Sequence, residues 1–342
     1  MRYIIIGAGA VGGAVGGRLA QAGHEVVLVA RGAHLAALRE RGLRLHVPEG
    51  ELTFPLKAVD GPDALGELRA DDVLLLAVKT QDTVTALEKW RTAPVAGGGT
   101  AAELLPVLCL QNGVEGPRLA LRAFRHVYAV CVWLPAGHLE PGVVSAAGAP
   151  LTGILHIGRH PHGTDDTAHR VAADLAGAHF EAPVVPDVAR WQYAKLLANL
   201  GNALEAVAGR VDDDAARALY AKVRAEGETV LDAAGIAYAT VEEQRAVRGH
   251  KVDPVPLPDA PRGGSSTWQS LARGTGTIEA DHLNGEIVLL GRQHGVPTPL
   301  NELLQSLANR FAHERRPAGS LPPRELERLA DKAVTGAVHP DE

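Results

Sequence analysis

Through the first half of the chain, short apolar runs alternate with longer segments of helical periodicity, the pattern of a parallel sheet wrapped by helices. Residues 3–6 read as a strand, 11–22 as a helix stopped by Gly23, and 25–30 as a second strand, together one βαβ unit. A helix over 33–41 ends at Gly42, and 43–59 reads as a hairpin turning at Pro48-Glu49-Gly50. The continuous apolar runs 72–78 and 107–110 suit strands covered on both faces, and each leads straight into polar residues. From 127 to 157, β-branched segments broken by Pro135, Gly137, Pro141 and Gly142 predict added strands at the sheet's far edge. A helix over 165–177 and a strand over 182–185 close this half.

Beyond Pro186 the strand pattern gives way to helical periodicity over 188–208, 213–234, 266–294 and 299–313. Residues 251–264, with Pro254, Pro256, Pro258 and Pro261, read as a loop, and the stretch after Pro317 ends in a polar tail expected to fray. The fold class that follows is α/β: an N-terminal Rossmann domain over 1–185, doubly wound on a mostly parallel sheet, then an all-α C-terminal domain over 186–342.

Composition narrows the function classes. With 46% apolar and 22% charged residues the 342-residue chain is globular, and a net charge of -6 supplies no positive field for nucleic acid. Cys109 and Cys131 both sit in apolar runs, so no disulfide framework is expected and the cytoplasm is the expected compartment. Arg2 followed by Tyr3-Ile4-Ile5-Ile6 imitates a signal peptide, but Gly7, Gly9, Gly12, Gly13, Gly16 and Gly17 disfavour the helical core such a signal needs. No run of about eighteen apolar residues predicts a membrane span. A homodimer is the base-rate expectation for the assembly.

Gly7-Ala8-Gly9-Ala10-Val11-Gly12 is a G-x-G-x-x-G fingerprint lying between a strand and a helix, where its mechanism requires it. Gly7 permits the tight turn, Gly9 lets a pyrophosphate approach the backbone, and Gly12 lets helix and strand pack closely, so that the helix N-terminus faces an anion. An NAD-preferring site ends its second strand with a carboxylate for the ribose 2′-hydroxyl. Here Val29-Ala30-Arg31 offers a guanidinium instead, which suits a 2′-phosphate and favours NADPH.

Val78-Lys79-Thr80-Gln81 and Leu110-Gln111-Asn112-Gly113, each after a strand, resemble the corresponding turns of the ketopantoate reductase family. Trp191-x-x-x-Lys195-x-x-x-Asn199 and Glu279-x-x-x-x-Asn284-Gly285 extend the resemblance over nearly the whole chain. It implies reduction of 2-dehydropantoate to pantoate with NADPH, in a Rossmann domain joined to a helical domain. It further implies Lys195 as catalytic acid, Glu279 as partner of the reacting hydroxyl, and Asn112 and Asn199 as substrate-side hydrogen-bonding groups. Ser265 or Ser266 would meet the substrate carboxylate, and Arg31, Lys79 and Asn112 would face the cofactor.

The residues agree where they can be read alone. Trp191, Lys195, Asn199 and Asn202 fall at i, i+4, i+8 and i+11, one stripe on an otherwise apolar helix. Such polar groups need partners or a wet surface, because unpaired burial is costly. An ammonium near a reacting ketone stabilises charge on its oxygen and supplies a proton. Two departures fall on the substrate side: Asn202 stands one position before the family's second asparagine, where this chain has Ala203, and the Ser266–Glu279 spacing is one residue longer, with Gly274 and Gly276 inside it. The same chemistry on another 2-oxo acid, or a non-catalytic NADP(H)-binding regulator, therefore stay open. His156, His160 and His162 fit no dedicated metal spacing, and Asp212-Asp213-Asp214 reads as a helix cap, so no metal is expected.

Overall fold

The computed structural model describes residues 1–257, 264–274 and 276–336. In chain order its elements are β1 (Arg2–Ile6), α1 (Ala10–Gln21), β2 (Glu25–Val29), α2 (Gly32–Arg41), β3 (Leu43–Val47), β4 (Gly50–Phe54), β5 (Lys57–Val59), β6 (Asp72–Leu76), α3 (Thr83–Arg91), α4 (Ala101–Leu104), β7 (Pro106–Cys109), α5 (Glu115–Leu121), β8 (His126–Trp133), β9 (Ala136–Gly137), β10 (Val143–Ala146), β11 (Gly148–Pro150), β12 (Gly153–Arg159), α6 (Asp166–Ala176) and β13 (Phe180–Glu181). There follow α7 (Val188–Asn199), α8 (Gly201–Ala208), α9 (Asp214–Ala233), α10 (Val241–Arg248), β14 (Val252–Pro254), α11 (Ser266–Ala272), α12 (Asn284–His294), α13 (Pro299–His313) and α14 (Pro323–Val334). The chain divides into two compact units, Met1–Gln192 with Ala239–Arg262, and Tyr193–Tyr238 with Gly263–Glu342.

The first unit holds an eight-stranded sheet in the order β13-β12-β8-β7-β6-β1-β2-β5, parallel except where β8 meets β12. Tyr3 and Ile5 of β1 pack on one face with Leu28, Leu75 and Leu108, while Ile4 and Ile6 pack on the other with Val27, Leu74 and Val107. Burial on both faces is why these strands read as unbroken apolar runs. At the amino end of β1, Arg2 donates to both carboxylate oxygens of Asp72 on β6, at 2.7 and 2.6 Å, and both side chains are buried. Breaking that pair would leave a buried charge, at a cost of about 3–5 kcal/mol.

The expected 43–59 hairpin is only partly present. β3 and β4 pair as a hairpin, but Pro55 has no N–H to continue it, and β5 crosses to the main sheet beside β2. Nor do all the strands between 127 and 157 lie at the far edge. β10 pairs with β3 and β9 to make a separate sheet, β4-β3-β10-β9. The reason lies on α1, whose glycines admit a second layer: a Cβ at Gly13 would stand 2.7 Å from Val144 Cγ2, and one at Gly17 would stand 2.8 Å from Leu45 Cδ2. The glycine density of 7–17 therefore serves packing as well as the fingerprint. A strand also survives past Pro186, since β14 pairs antiparallel with β11 inside the expected loop 251–264. Residues 258–263 of that loop, and the tail beyond 336, lie outside the described residues.

The second unit is helical, but two expected helices are interrupted. The 188–208 helix divides into α7 and α8, where the Tyr220 hydroxyl donates to the Ala198 carbonyl at 3.3 Å and Asn284 Nδ2 donates to the Leu200 carbonyl at 3.1 Å. Side-chain donors there take carbonyls that a continuous helix would keep. The 266–294 helix stops after α11, because Gly274 and Gly276 adopt φ of 62° and 76°, outside the right-handed helix. Asn284 also donates to Asn301 Oδ1 at 3.0 Å, and Asn301 donates to Val223 O and Glu226 Oε2, so one buried network joins the α7–α8 bend to α9, α12 and α13.

Candidate functional site

In the first unit the fingerprint turn leaves β1 with Gly7 at φ 103°, and a Cβ there would lie 2.7 Å from Val78 N. A Cβ at Gly12 would lie 2.1 Å from the Gly7 carbonyl oxygen. At Gly9 nothing lies within 4 Å of an added Cβ, so the turn presents an open face there. Gly9 N-caps α1 without a side-chain cap, and the first turn of α1 carries no acid. The positive end of the helix dipole is thus left for an anion, and the cradle fits the pyrophosphate of a dinucleotide. Ala8 is buried, whereas Ala10 and Val11 are partly exposed on the turn.

A side chain that the sequence reading missed holds this turn. His34 on α2 accepts from the Gly142 amide at Nδ1, 2.9 Å, which leaves its proton on Nε2, and that nitrogen is 2.7 Å from the Ala8 carbonyl oxygen. The His34 ring packs on His138 with centroids 4.3 Å apart. No local signal marks His34, because its partners lie 26 and 108 residues away.

Arg31 stands at the N-cap of α2, directly after β2. Its Nη2 lies 3.3 Å from Asp82 Oδ2, with the side chain 85% exposed. Lys79, half-buried, begins the turn after β6, and Asn112, also half-buried, lies in the turn after β7. Gln111, quoted in the motif but given no role, links these turns: its Nε2 donates to Val78 O at 2.9 Å and to Thr83 Oγ1 at 2.7 Å.

The second unit carries the remaining candidates. Lys195 is half-buried on α7 and Asn199, one turn on, is buried at 5% exposure. Asn202 falls on α8, just past the one-residue break at Leu200. The two serines differ. Ser265 N-caps α11, accepts from Trp268 N, donates to the Asn202 carbonyl at 3.4 Å and receives no freedom from its own amide, which is bound to Glu205 Oε2 at 2.8 Å. Ser266 has its Oγ buried with no hydrogen bond among the described residues. Glu279 is not on a long helix but opens a short helical turn, 4% exposed. Burial pushes the Arg273 guanidinium pKa down while the charge of Glu279 pushes it up, so these two groups feel each other.

The histidine run disperses. His156 on β12 stacks on Trp191 at 4.0 Å and 20°, neither ring nitrogen makes a hydrogen bond, and burial pushes its pKa down to about 4. Among the described residues no group of three or more side chains could hold a metal ion, and no helix is long and apolar enough to cross a membrane.

Comparison with known proteins matches residues 3–162 to the family model "Ketopantoate reductase PanE/ApbA" and residues 187–312 to its C-terminal counterpart. The 2-dehydropantoate 2-reductase of Mesorhizobium japonicum is 29% identical, over 92% of this chain and 99% of its own. That of Pyrococcus horikoshii is 28% identical, over 90% and 96%. A crystal structure of a PanE/ApbA family ketopantoate reductase from Ralstonia eutropha JMP134 superposes with a TM-score of 0.73 at 32% identity, covering 92% of this chain and all of that one. A D-mandelate dehydrogenase bound to NADH and anilino(oxo)acetate shares the fold, with a TM-score of 0.74 at 22% identity over 93% of this chain and all of its own. With a dinucleotide cradle in its first unit and both family models spanning most of its length, the chain belongs to the ketopantoate reductase family and is an oxidoreductase with NADP(H) as its cofactor.

Proposed function

We propose that this enzyme reduces a 2-oxo acid to the 2-hydroxy acid with NADPH, and that the acid is 2-dehydropantoate, giving (R)-pantoate for pantothenate synthesis. The observation that carries the reading is Lys195, half-buried on α7 with the buried amide of Asn199 one turn away, at the positions of the family motif. When bound, the dinucleotide supplies hydride chemistry at the keto carbon. The ammonium of Lys195 meets the negative charge that builds on the keto oxygen and donates the proton. Glu279 accepts from the hydroxyl being formed, and Asn112, Asn199 and Asn202 offer amide hydrogen bonds. Of the two serines, Ser266 is the better candidate for the substrate carboxylate, since the Ser265 hydroxyl is already engaged at the N-cap of α11. Arg31 pairs with the 2′-phosphate and Lys79 faces the cofactor, which favours NADPH over NADH. Cys109 and Cys131, both buried thiols in the sheet and not joined in a disulfide, fit a cytoplasmic location.

A second reading keeps the reaction and changes the acid. It is favoured by the position of Asn202 on α8 and by the break at Gly274 and Gly276, both on the substrate side. An NADPH-oxidation screen across small 2-oxo acids separates the two: turnover best with ketopantoate supports the first, and turnover best with another acid supports the second. In the same assay Lys195→Ala is expected to lower kcat by about 10²–10⁴-fold while the Kd for NADPH stays put. Undiminished turnover in that variant removes Lys195 as the acid.

A further inference from the structure

Asp82 belongs to no motif, yet its carboxylate stands against the guanidinium expected to select the cofactor. Arg31 follows β2 and Asp82 follows the turn after β6, and these two strands flank β1 on opposite sides. The pair, with Arg31 Nη2 3.4 and 3.3 Å from the two oxygens of Asp82, therefore spans the carboxyl end of β1, where the fingerprint begins. In an open α/β sheet that is the edge over which a dinucleotide lies. Both side chains are exposed, so the ion pair contributes little to stability. Asp82 also caps nothing: it occupies the N-cap of α3 without a side-chain hydrogen bond to the helix. Its location is nevertheless fixed, because Gln111 grips the segment at Val78 O before it and at Thr83 Oγ1 after it.

We propose that Asp82 sets the balance between the two nicotinamide dinucleotides, so that this site takes NADH as well as NADPH. The proposal rests on the reading in which Arg31 meets the adenosine ribose. A free ribose 2′-hydroxyl needs an acceptor, which β2 does not carry, and Asp82 delivers one from the neighbouring turn. A 2′-phosphate needs the guanidinium and is repelled by a carboxylate that already holds it. Each form of the cofactor thus finds one favourable partner at the Arg31–Asp82 pair, and neither finds two.

The test is fluorescence titration of NADPH and NADH into the purified protein with no 2-oxo acid present, so that binding is read apart from turnover. The parent is expected to bind both with Kd values within about tenfold of each other. Asp82→Asn is expected to shift the Kd ratio towards NADPH by about five- to tenfold, the effect of removing one charge a few ångströms from a phosphate at a wet surface. Its Tm should match the parent's, since the carboxylate supports no helix. Arg31→Ala is the control for the underlying reading and should weaken NADPH binding by about tenfold or more. A ratio unmoved in Asp82→Asn while Arg31→Ala still loses NADPH overturns the role of Asp82 alone, as does a parent that binds NADPH over a hundredfold tighter. NADPH affinity unchanged in Arg31→Ala instead overturns the placement of the 2′-phosphate, and the proposal with it.

Discussion

With Nδ1 taken up by the Gly142 amide, the His34 ring has one proton left, on Nε2, and the Ala8 carbonyl of the fingerprint turn is in reach to accept it. The bond fixes the orientation of a peptide next to the anion cradle, which serves the pyrophosphate that both dinucleotides share. His34→Ala should therefore weaken NADPH and NADH alike, by about threefold to tenfold, the worth of one ordinary hydrogen bond. His34→Gln, whose amide can replace the Nε2 donor, should recover much of the loss in the same titration. Loss confined to one nucleotide, or none at all, would contradict this role. The catalytic candidates were legible in the sequence because each sits in a short motif; His34 was not, because its two partners come from elements far along the chain.

At the scale of the strand-turn-helix element, two glycines of one motif do separable jobs. Gly12 has no room for a methyl group, which would meet the Gly7 carbonyl oxygen at 2.1 Å, so Gly12→Ala should destabilise the first unit and lower its Tm by several degrees. Gly9 has an extended backbone, φ -75° and ψ -153°, and open space where a Cβ would stand. Gly9→Ala should keep the parent's Tm and lose nucleotide affinity by about tenfold or more, since the methyl intrudes where the pyrophosphate approaches. Equal thermal losses in both variants would refute the division. The spacing of the motif revealed that the element exists. Which glycine serves packing and which serves the ligand depends on what faces each one, and that is set by Val78, Ile5 and the backbone of the turn itself.

At the scale of the whole molecule, His156 ties stability to pH. Folded, its ring titrates at about 4 because burial disfavours the charge, whereas unfolding restores the ordinary value of 6.5. The unfolded chain binds the extra proton between these values, so the contribution is complete above about pH 6.5, declines as pH falls, and is gone below about pH 4. The loss amounts to roughly 3 kcal/mol. Urea titrations from pH 7 to pH 4 should show the parent losing stability more steeply than His156→Phe, which keeps an aromatic ring against Trp191. Parallel curves for the two proteins would show that the imidazole does not carry this sensitivity. Acidic side chains titrate in both, so only the difference between the curves reports on His156.

The sequence by itself determined the βαβ start, the parallel sheet, the helical second half and the identities of Lys195, Asn199 and Glu279 as candidates, because periodicity and short motifs are local properties of a chain. Tertiary structure decided what depends on neighbours. Glycines on α1 admitted a second sheet, a tyrosine and an asparagine took carbonyls at the bend that puts Asn202 on α8, and Asp82 came to face Arg31 across the end of β1. Each of these rests on a contact between residues distant in sequence, whose energy no window of a few residues contains.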